Sequence, residues 1–206
     1  MVLRDIFDIG AHDGSWSNQV KRIVGRDTRF FLFEPNQHHN SSLKHLDVQF
    51  FNALLSDDKK EVNFWSVGGL GDSYYCENNS VFDGIDPTPM TTSTLDAIRE
   101  LYKLPFPDLL KIDTQGSEID IVNGALKTLG QTAVVILECP TVSYNIGAPT
   151  LDQYIETMRA LNFIPIDVTE VHLMANALVQ IDIAFMRTSV FEELYGTASS
   201  RRFLTK

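Results

Sequence analysis

The chain has 206 residues, 44% of them hydrophobic and 21% charged, which is the balance of an ordinary folded domain rather than a disordered segment. A formal net charge of −10, with the longest basic cluster confined to the terminal "RRFLTK", disfavours a surface that neutralises a nucleic-acid backbone. No apolar run reaches the roughly 18 residues of a membrane span, and Cys76 and Cys139 share no metal-ligand spacing.

The length fits a single domain over residues 1–206. The start, "MVLRDIFDIG", has no signal-peptide core and runs straight into a strand, so reduced thiols and a cytoplasmic location are expected. "RDIFDI" reads as that strand. In "SWSNQVKRIV", Trp16, Val20, Ile23 and Val24 fall at helical spacing, with Gly25 as the stop. "RFFLFE" and "VQFFNALL" are continuous apolar strands of the kind covered by helices on both faces. "EVNFWSV" suggests an edge hairpin. Residues 68–92, rich in Gly, Asn, Asp and Pro and without periodicity, read as a functional loop. A helix follows from Thr94 to about Tyr102, then the strand "DLLKID". "SEIDIVNGALKTL" reads as one helix opened by Ser117 with Asp120 three residues on and closed by Gly130. The strand "AVVILE" precedes the helix "TLDQYIETMRALN", which Thr150 and Gln153 open as a capping box. "FIPIDV" and "VQIDIAFMR" complete the sheet.

This alternation predicts an α/β fold with right-handed crossovers and a largely parallel, doubly wound sheet, whose ligands bind beyond the carboxyl ends of the strands. The residues at those ends are Asp8 to Gly14, Glu34, Asn52 and Ala53, Asp113 to Glu118, and Glu138 to Pro140. Carboxylates stand at four of these five places, a poor setting for phosphates. "FDIGAHDG" fits D-x-G-x-x-x-G through Asp8, Gly10 and Gly14, but not the G-x-G-x-x-G of nicotinamide enzymes, and no phosphate-binding Gly-Lys-Ser/Thr occurs. A cationic cofactor without phosphates suits the rim better. S-adenosylmethionine is one, and Glu34, at the end of the second strand, stands where an acceptor for its ribose diol belongs.

The chain resembles the FkbM-type S-adenosylmethionine-dependent methyltransferases through "FDIGAHDG", "FLFEPN", "NALLSD", "TTSTLD" and above all "LLKIDTQGSEIDIVNGA". The resemblance implies the class I methyltransferase fold, a Rossmann-like sheet of seven strands with the last antiparallel, supplied by "VQIDIAFMR". It also implies S-adenosylmethionine as cofactor and S-adenosylhomocysteine as product, held by Asp8, Gly10, Ala11, His12, Gly14, Glu34, Asn52, Ala53 and Asp113. Two positions depart from the family. His12 stands where relatives carry Asn or Gly, and is among the residues that tolerate a positive φ. Gln115 stands where they carry Glu.

Methyl transfer is an in-line displacement helped by alignment and, for an alcohol, by a base. The candidate bases are Asp113, His12, Glu118 and Glu138, with Asp113 favoured because it ends the fourth strand. Lys111 lies two residues before it on the same face. "QHHN" at 37–40 reads as a solvated helix face, and no metal ligands are assigned, although a divalent ion is compatible with the chemistry. No Asn/Asp-Pro-Pro-Tyr/Phe or Pro-Cys motif occurs, so the expected acceptor is a hydroxyl on a small molecule. Tyr74, Tyr75, Asn79 and Tyr144 are candidates for its pocket. The competing readings are a catalytically silent cofactor-binding module, suggested by Gln115, and a nicotinamide oxidoreductase.

Overall fold

The protein is described by a computed structural model over residues 1–66, 71–76, 82, 84–143 and 145–196. Its centre is β1 (Asp5–Ile9), buried along its whole length. Parallel neighbours flank it on both sides, β2 (Arg29–Phe33) and β6 (Leu109–Ile112). Outside β2 lies the short β3 (Gln49–Phe51), and outside β6 lies β7 (Val134–Pro140), both parallel. The sheet is completed by β9 (Ala177–Arg187), antiparallel to β7 and to the edge strand β8 (Phe163–Met174). The order β3-β2-β1-β6-β7-β9-β8 is the seven-stranded, mostly parallel sheet expected from the sequence, with its last strand antiparallel. The chain winds outward from β1 to β3 and then crosses back to β6. The carboxyl ends of β1 and β6 therefore form the topological switch point, where open α/β sheets bind ligands.

Period-two alternation divides the strand side chains between two cores. Phe7, Ile9, Phe31, Phe33, Leu110, Ile112, Val135 and Leu137 pack on one face. There Phe7 lies 5.1 Å from Phe31 and 5.4 Å from Phe33, centroid to centroid. Ile6, Leu32, Leu109 and Val134 pack on the other, beneath Trp16 and Val20 of α1 (Ser15–Val20). Asp8 and Lys111 are cross-strand partners on this second face.

Several elements differ from expectation. α1 ends at Val20, so Ile23 lies beyond it and is 83% exposed. Only Gln49–Phe51 of "VQFFNALL" joins the sheet. "EVNFWSV" contributes β4 (Glu61–Phe64), which forms a separate two-stranded sheet with β5 (Thr88–Thr91), a strand inside the stretch read as loop. Beyond β2 come a single 3-10 turn (Gln37–His39) and α2 (Asn40–Leu43). α3 (Leu95–Leu101) starts as expected, with Thr94 accepting from the Ala97 amide. The helix after β6 is broken into α4 (Glu118–Asn123) and α5 (Leu126–Leu129). The break falls at Gly124 and Ala125, and a Cβ on Gly124 would stand 2.1 Å from the Ser56 carbonyl oxygen, so only glycine fits there. Asp96 of α3 then caps α5, accepting from the Lys127 and Thr128 amides at 2.8 Å. Ser117 makes no cap bond to the helix; its hydroxyl turns back to Thr114. α6 (Leu151–Ala160) carries the expected capping box. α7 (Thr188–Tyr195) follows β9 and lies beyond the elements read from sequence. No helix among the described residues is long and apolar enough to cross a membrane, and Cys139 is a buried free thiol.

Candidate active site

A cavity of about 430 Å³ opens at the switch point. Asp8, Gly10, Ala11, His12, Glu34, Ala53 and Asp113 all line it, joined by Trp16, Asp72, Tyr74, Lys111, Gln115, Glu170, His172 and Asp182. Of the candidate site residues that are described, Gly14, Asn52, Glu118, Glu138 and Tyr75 do not. Gly14 caps α1, and a Cβ on it would meet Leu46 and Leu43 instead of the cavity. Asn52 stands behind the site, its amide donating to the Glu34 carbonyl at 2.9 Å and to Asn40 Oδ1 at 2.8 Å. Glu118 is wholly buried beneath the turn after β6.

The floor is the contact between the turns after β1 and β6. Gly10 has φ 75°, and a Cβ on it would fall 1.8 Å from the Asp113 carbonyl oxygen. Only glycine lets these turns close on one another. His12 follows with φ 50°, a left-handed conformation that histidine tolerates. Its amide donates to Glu34 Oε2 at 2.8 Å, and the Asn36 amide donates to Oε1 at the same distance. Each Glu34 oxygen keeps a lone pair for a further donor. Burial raises Glu34 above the usual carboxylate range, against the pull of these two amides. The His12 ring lies 3.9 Å from that of His39, so "QHHN" does not form a simple solvated face: His39 packs onto the site. Burial and the neighbouring His12 push His39 down.

Lys111 is buried beneath Trp16, its Nζ 2.6 Å from Asp113 Oδ2 and 5.4 Å from the indole centroid. Neighbouring Asp113 and Asp8 hold the ammonium above its ordinary range in spite of that burial. Asp8 receives the Ser17 hydroxyl on Oδ2 at 2.7 Å, while its Oδ1 is buried with no hydrogen-bond partner. Desolvation raises Asp8. Asp113 is 31% exposed at the side chain, the open end of the pair.

The turn after Asp113 is held from below. Glu118 accepts from the amides of Thr114 (2.8 Å) and Gly116 (3.1 Å) and from the Tyr154 hydroxyl (2.5 Å). As a candidate base it is therefore corrected to a clasp, because its donors occupy the carboxylate below the cavity. Gln115, at φ 56°, donates its amide to Glu138 Oε2 at 2.7 Å. Gln180 bonds the other Glu138 oxygen. Burial and the carboxylates of Asp113, Glu118 and Asp182 push Glu138 well up. Tyr74 and Tyr75 both donate to Asp120 Oδ2, at 2.7 and 2.9 Å, and of the two Tyr74 lines the cavity. Asn79 and Tyr144 lie outside the described residues.

The far wall was not foreseen. The long hairpin of β8 and β9 brings Glu170, His172 and Asp182 to the cavity. "VTEVHLM" shows only an E-x-H spacing, and the meeting with Asp182 depends on strand register. Burial and Asp113 raise Asp182 to about 6.

A sheet in this order, with acidic and glycine-bearing turns meeting at its switch point, defines a class I methyltransferase architecture. Solved structures agree in fold. The O-methyltransferase from Bacillus cereus in complex with S-adenosylhomocysteine matches with a TM-score of 0.52 at 12% identity, over 89% of this chain and 74% of that one. The magnesium protoporphyrin IX methyltransferase from Synechocystis PCC 6803 with bound S-adenosylmethionine matches with a TM-score of 0.51 at 8% identity, over 90% and 70%. Residues 8–165 match the family described as the Methyltransferase FkbM domain, and the chain belongs to that family. It is also 28% identical over 153 residues to the 2-O-methyltransferase NoeI of Sinorhizobium fredii, an alignment that spans 65% of this chain and 62% of that relative.

Proposed function

We propose that the chain is an S-adenosylmethionine-dependent methyltransferase acting on a hydroxyl of a small molecule, such as a sugar, a polyketide or another secondary metabolite. The observation that carries this reading is the convergence of Asp8, Gly10, Glu34 and Asp113 on one cavity at the switch point. The residues fit the cofactor chemically. Gly10 leaves the floor bare of side chain, Asp8 Oδ1 is a buried acceptor without a partner, and Glu34 retains acceptor capacity for a ribose diol. Among the described lining residues Lys111 is the only lysine or arginine, so the lining favours a cation over a phosphate. Gly10, Ala11, His12, Glu34 and Ala53 would hold the cofactor. When bound, it supplies a methyl group on a sulfonium whose departure leaves a neutral thioether.

Asp113 takes the proton of the acceptor hydroxyl as the oxygen gains its methyl bond, and then returns it to solvent. Lys111 fixes the orientation of that carboxylate and balances its charge while the other oxygen faces the substrate. His12 and Tyr74 border the space left for the acceptor. The name of the S. fredii relative, a 2-O-methyltransferase, supports oxygen as the accepting atom.

The test is S-adenosylhomocysteine release across a panel of glycosides, phenols and aliphatic alcohols. Replacing Asp113→Asn should lower turnover by about 10²- to 10⁴-fold, the usual loss of a general base. Affinity for S-adenosylhomocysteine, which lacks the sulfonium charge, should be retained in that variant, because no bond to the turn after β1 is removed. Unchanged turnover would remove Asp113 from the mechanism. Cofactor binding by the unaltered protein with no turnover on any acceptor would favour the silent module.

A further inference from the structure

The geometry points to a metal site formed by Glu170, His172 and Asp182 on the β8–β9 wall of the cavity, taking one first-row divalent cation with mixed nitrogen and oxygen ligands. One ligand atom from each of the three lies within 4.8 Å of the others. His172 Nε2 stands 3.5 Å from Asp182 Oδ1 and 3.9 Å from Glu170 Oε1. Ligands bound at about 2.0–2.2 Å around one ion are themselves roughly 3–3.5 Å apart, so small side-chain adjustments close the set.

Asp182 provides an independent sign of a missing partner. It is 5% exposed, and its Oδ1 is buried without a hydrogen-bond partner. It also stands in a row of like charges, since Glu138 of β7 pairs with Asp182 of β9, which pairs with Glu170 of β8. Carboxylates directly opposite one another destabilise a sheet. Lys111 acts on Glu138 and Asp182 from a distance, but its hydrogen bond goes to Asp113. Gln115 and Gln180 satisfy Glu138 by hydrogen bonding but bring no charge. A divalent ion would bring further positive charge to this row of three carboxylates.

The local backbone is bent to present these residues. The pairing skips Thr169 between Val168 and Glu170, and shifts again between His172 and Leu173. Without the skip at Thr169 that residue would oppose Asp182, and Glu170 and His172 would point to the opposite face. Bulges re-aim side chains in this way beside functional sites. One imidazole with two carboxylates suits ions such as Mn²⁺, Co²⁺ or Zn²⁺ better than Mg²⁺ or Ca²⁺, which prefer all-oxygen sets. All three residues lie beyond the family match, which ends at residue 165. The site itself does not depend on the proposed function. Its use does rest on that reading: an ion on this wall would bind the acceptor hydroxyl and lower its pKa beside Asp113.

The experiment uses the full chain, stripped with a chelator and titrated with Co²⁺ while visible absorption and calorimetry are recorded. One equivalent should bind and produce the spectrum of a nitrogen- and oxygen-ligated ion. His172→Ala and Glu170→Gln, both on a partly exposed hairpin, should weaken binding by roughly 10- to 100-fold or more. His38→Ala, which removes a histidine from the turn before α2, should leave it unchanged. A stripped protein that shows no saturable Co²⁺ binding would overturn the site, as would affinities untouched by both hairpin substitutions. S-adenosylhomocysteine binding measured on the same stripped protein reports on the cofactor reading separately, so the two can fail independently.

Discussion

Both oxygens of Glu118 are taken up by the turn that presents Asp113 and Gln115, which makes this residue a measure of how the site is supported. A Gln at this position replaces one acceptor with an amide donor facing the amides of Thr114 and Gly116 or the Tyr154 hydroxyl. An unsatisfied buried polar group costs about 1–3 kcal/mol. Glu118→Gln should therefore lower Tm by roughly 3–10 °C for a chain of this size, with S-adenosylhomocysteine affinity retained. Burial raises Glu118 above its ordinary value of 4.5. The folded state then holds a proton that the unfolded chain releases as pH rises past that value, so the wild type loses stability with rising pH over this interval. The Gln variant should show a shallower slope in denaturation curves taken at several pH values, the raised carboxyls of Asp8, Glu34, Glu138 and Asp182 keeping the remainder. Lost turnover with an unchanged Tm would instead return Glu118 to the chemistry. At this scale the sequence marked His12 as a departure that tolerates a positive φ, and the turn does hold it at φ 50°. Gln115 was legible only as a departure, since its role depends on a bond to Glu138, 23 residues later.

Among the elements, those buried on both faces were read correctly, because β1, β2, β6 and β7 are each mostly apolar, with Asp8 in β1 and Lys111 in β6 as polar exceptions. The misread ones are exposed or interrupted. β5 includes Pro89 and has no buried residue, so it leaves no hydrophobic period to detect. β8 was recognised only through Val168, yet it runs on to Met174 with its outer half largely solvent-facing, held by pairing to β9 alone. The split between α4 and α5 falls where the Ser56 carbonyl passes close to Gly124, a contact invisible in a helical pattern. The exposed outer hairpin should open locally, whereas the central strands should exchange only through global unfolding. Hydrogen exchange is thus expected to be much faster for amides from Glu170 to Leu178 than for those of β1, β6 and β7. Addition of Co²⁺ should slow the hairpin selectively if the metal site is present. Equal protection in both regions would mean that the hairpin is covered in solution.

At the scale of the molecule, charge and topology act together. The alternation of strands and helices made the switch point legible, and with it the acidic rim, before any side chain was placed. What remained hidden was the wall supplied by β8 and β9, because those strands meet the cavity through register rather than through a strand-end turn. A chain of net charge −10 whose cavity is lined by Asp8, Asp13, Glu34, Asp72 and Asp113 repels a dinucleotide with two phosphates and attracts a ligand that carries a sulfonium and an ammonium group. A ligand present at one hundred times its Kd stabilises the fold by about 2.7 kcal/mol. For this length that amounts to a rise in Tm of roughly 5–10 °C. S-adenosylmethionine and S-adenosylhomocysteine should each produce that rise in a thermal-shift titration, and nicotinamide dinucleotides should produce none. The homocysteine product lacks the sulfonium charge, so comparable shifts would assign most of the affinity to Gly10, Glu34 and the adenosyl contacts. A markedly larger shift with the methionine form would assign it to the carboxylates around the methyl position. Stabilisation by the nicotinamide compounds instead would overturn the methyltransferase reading of the cavity.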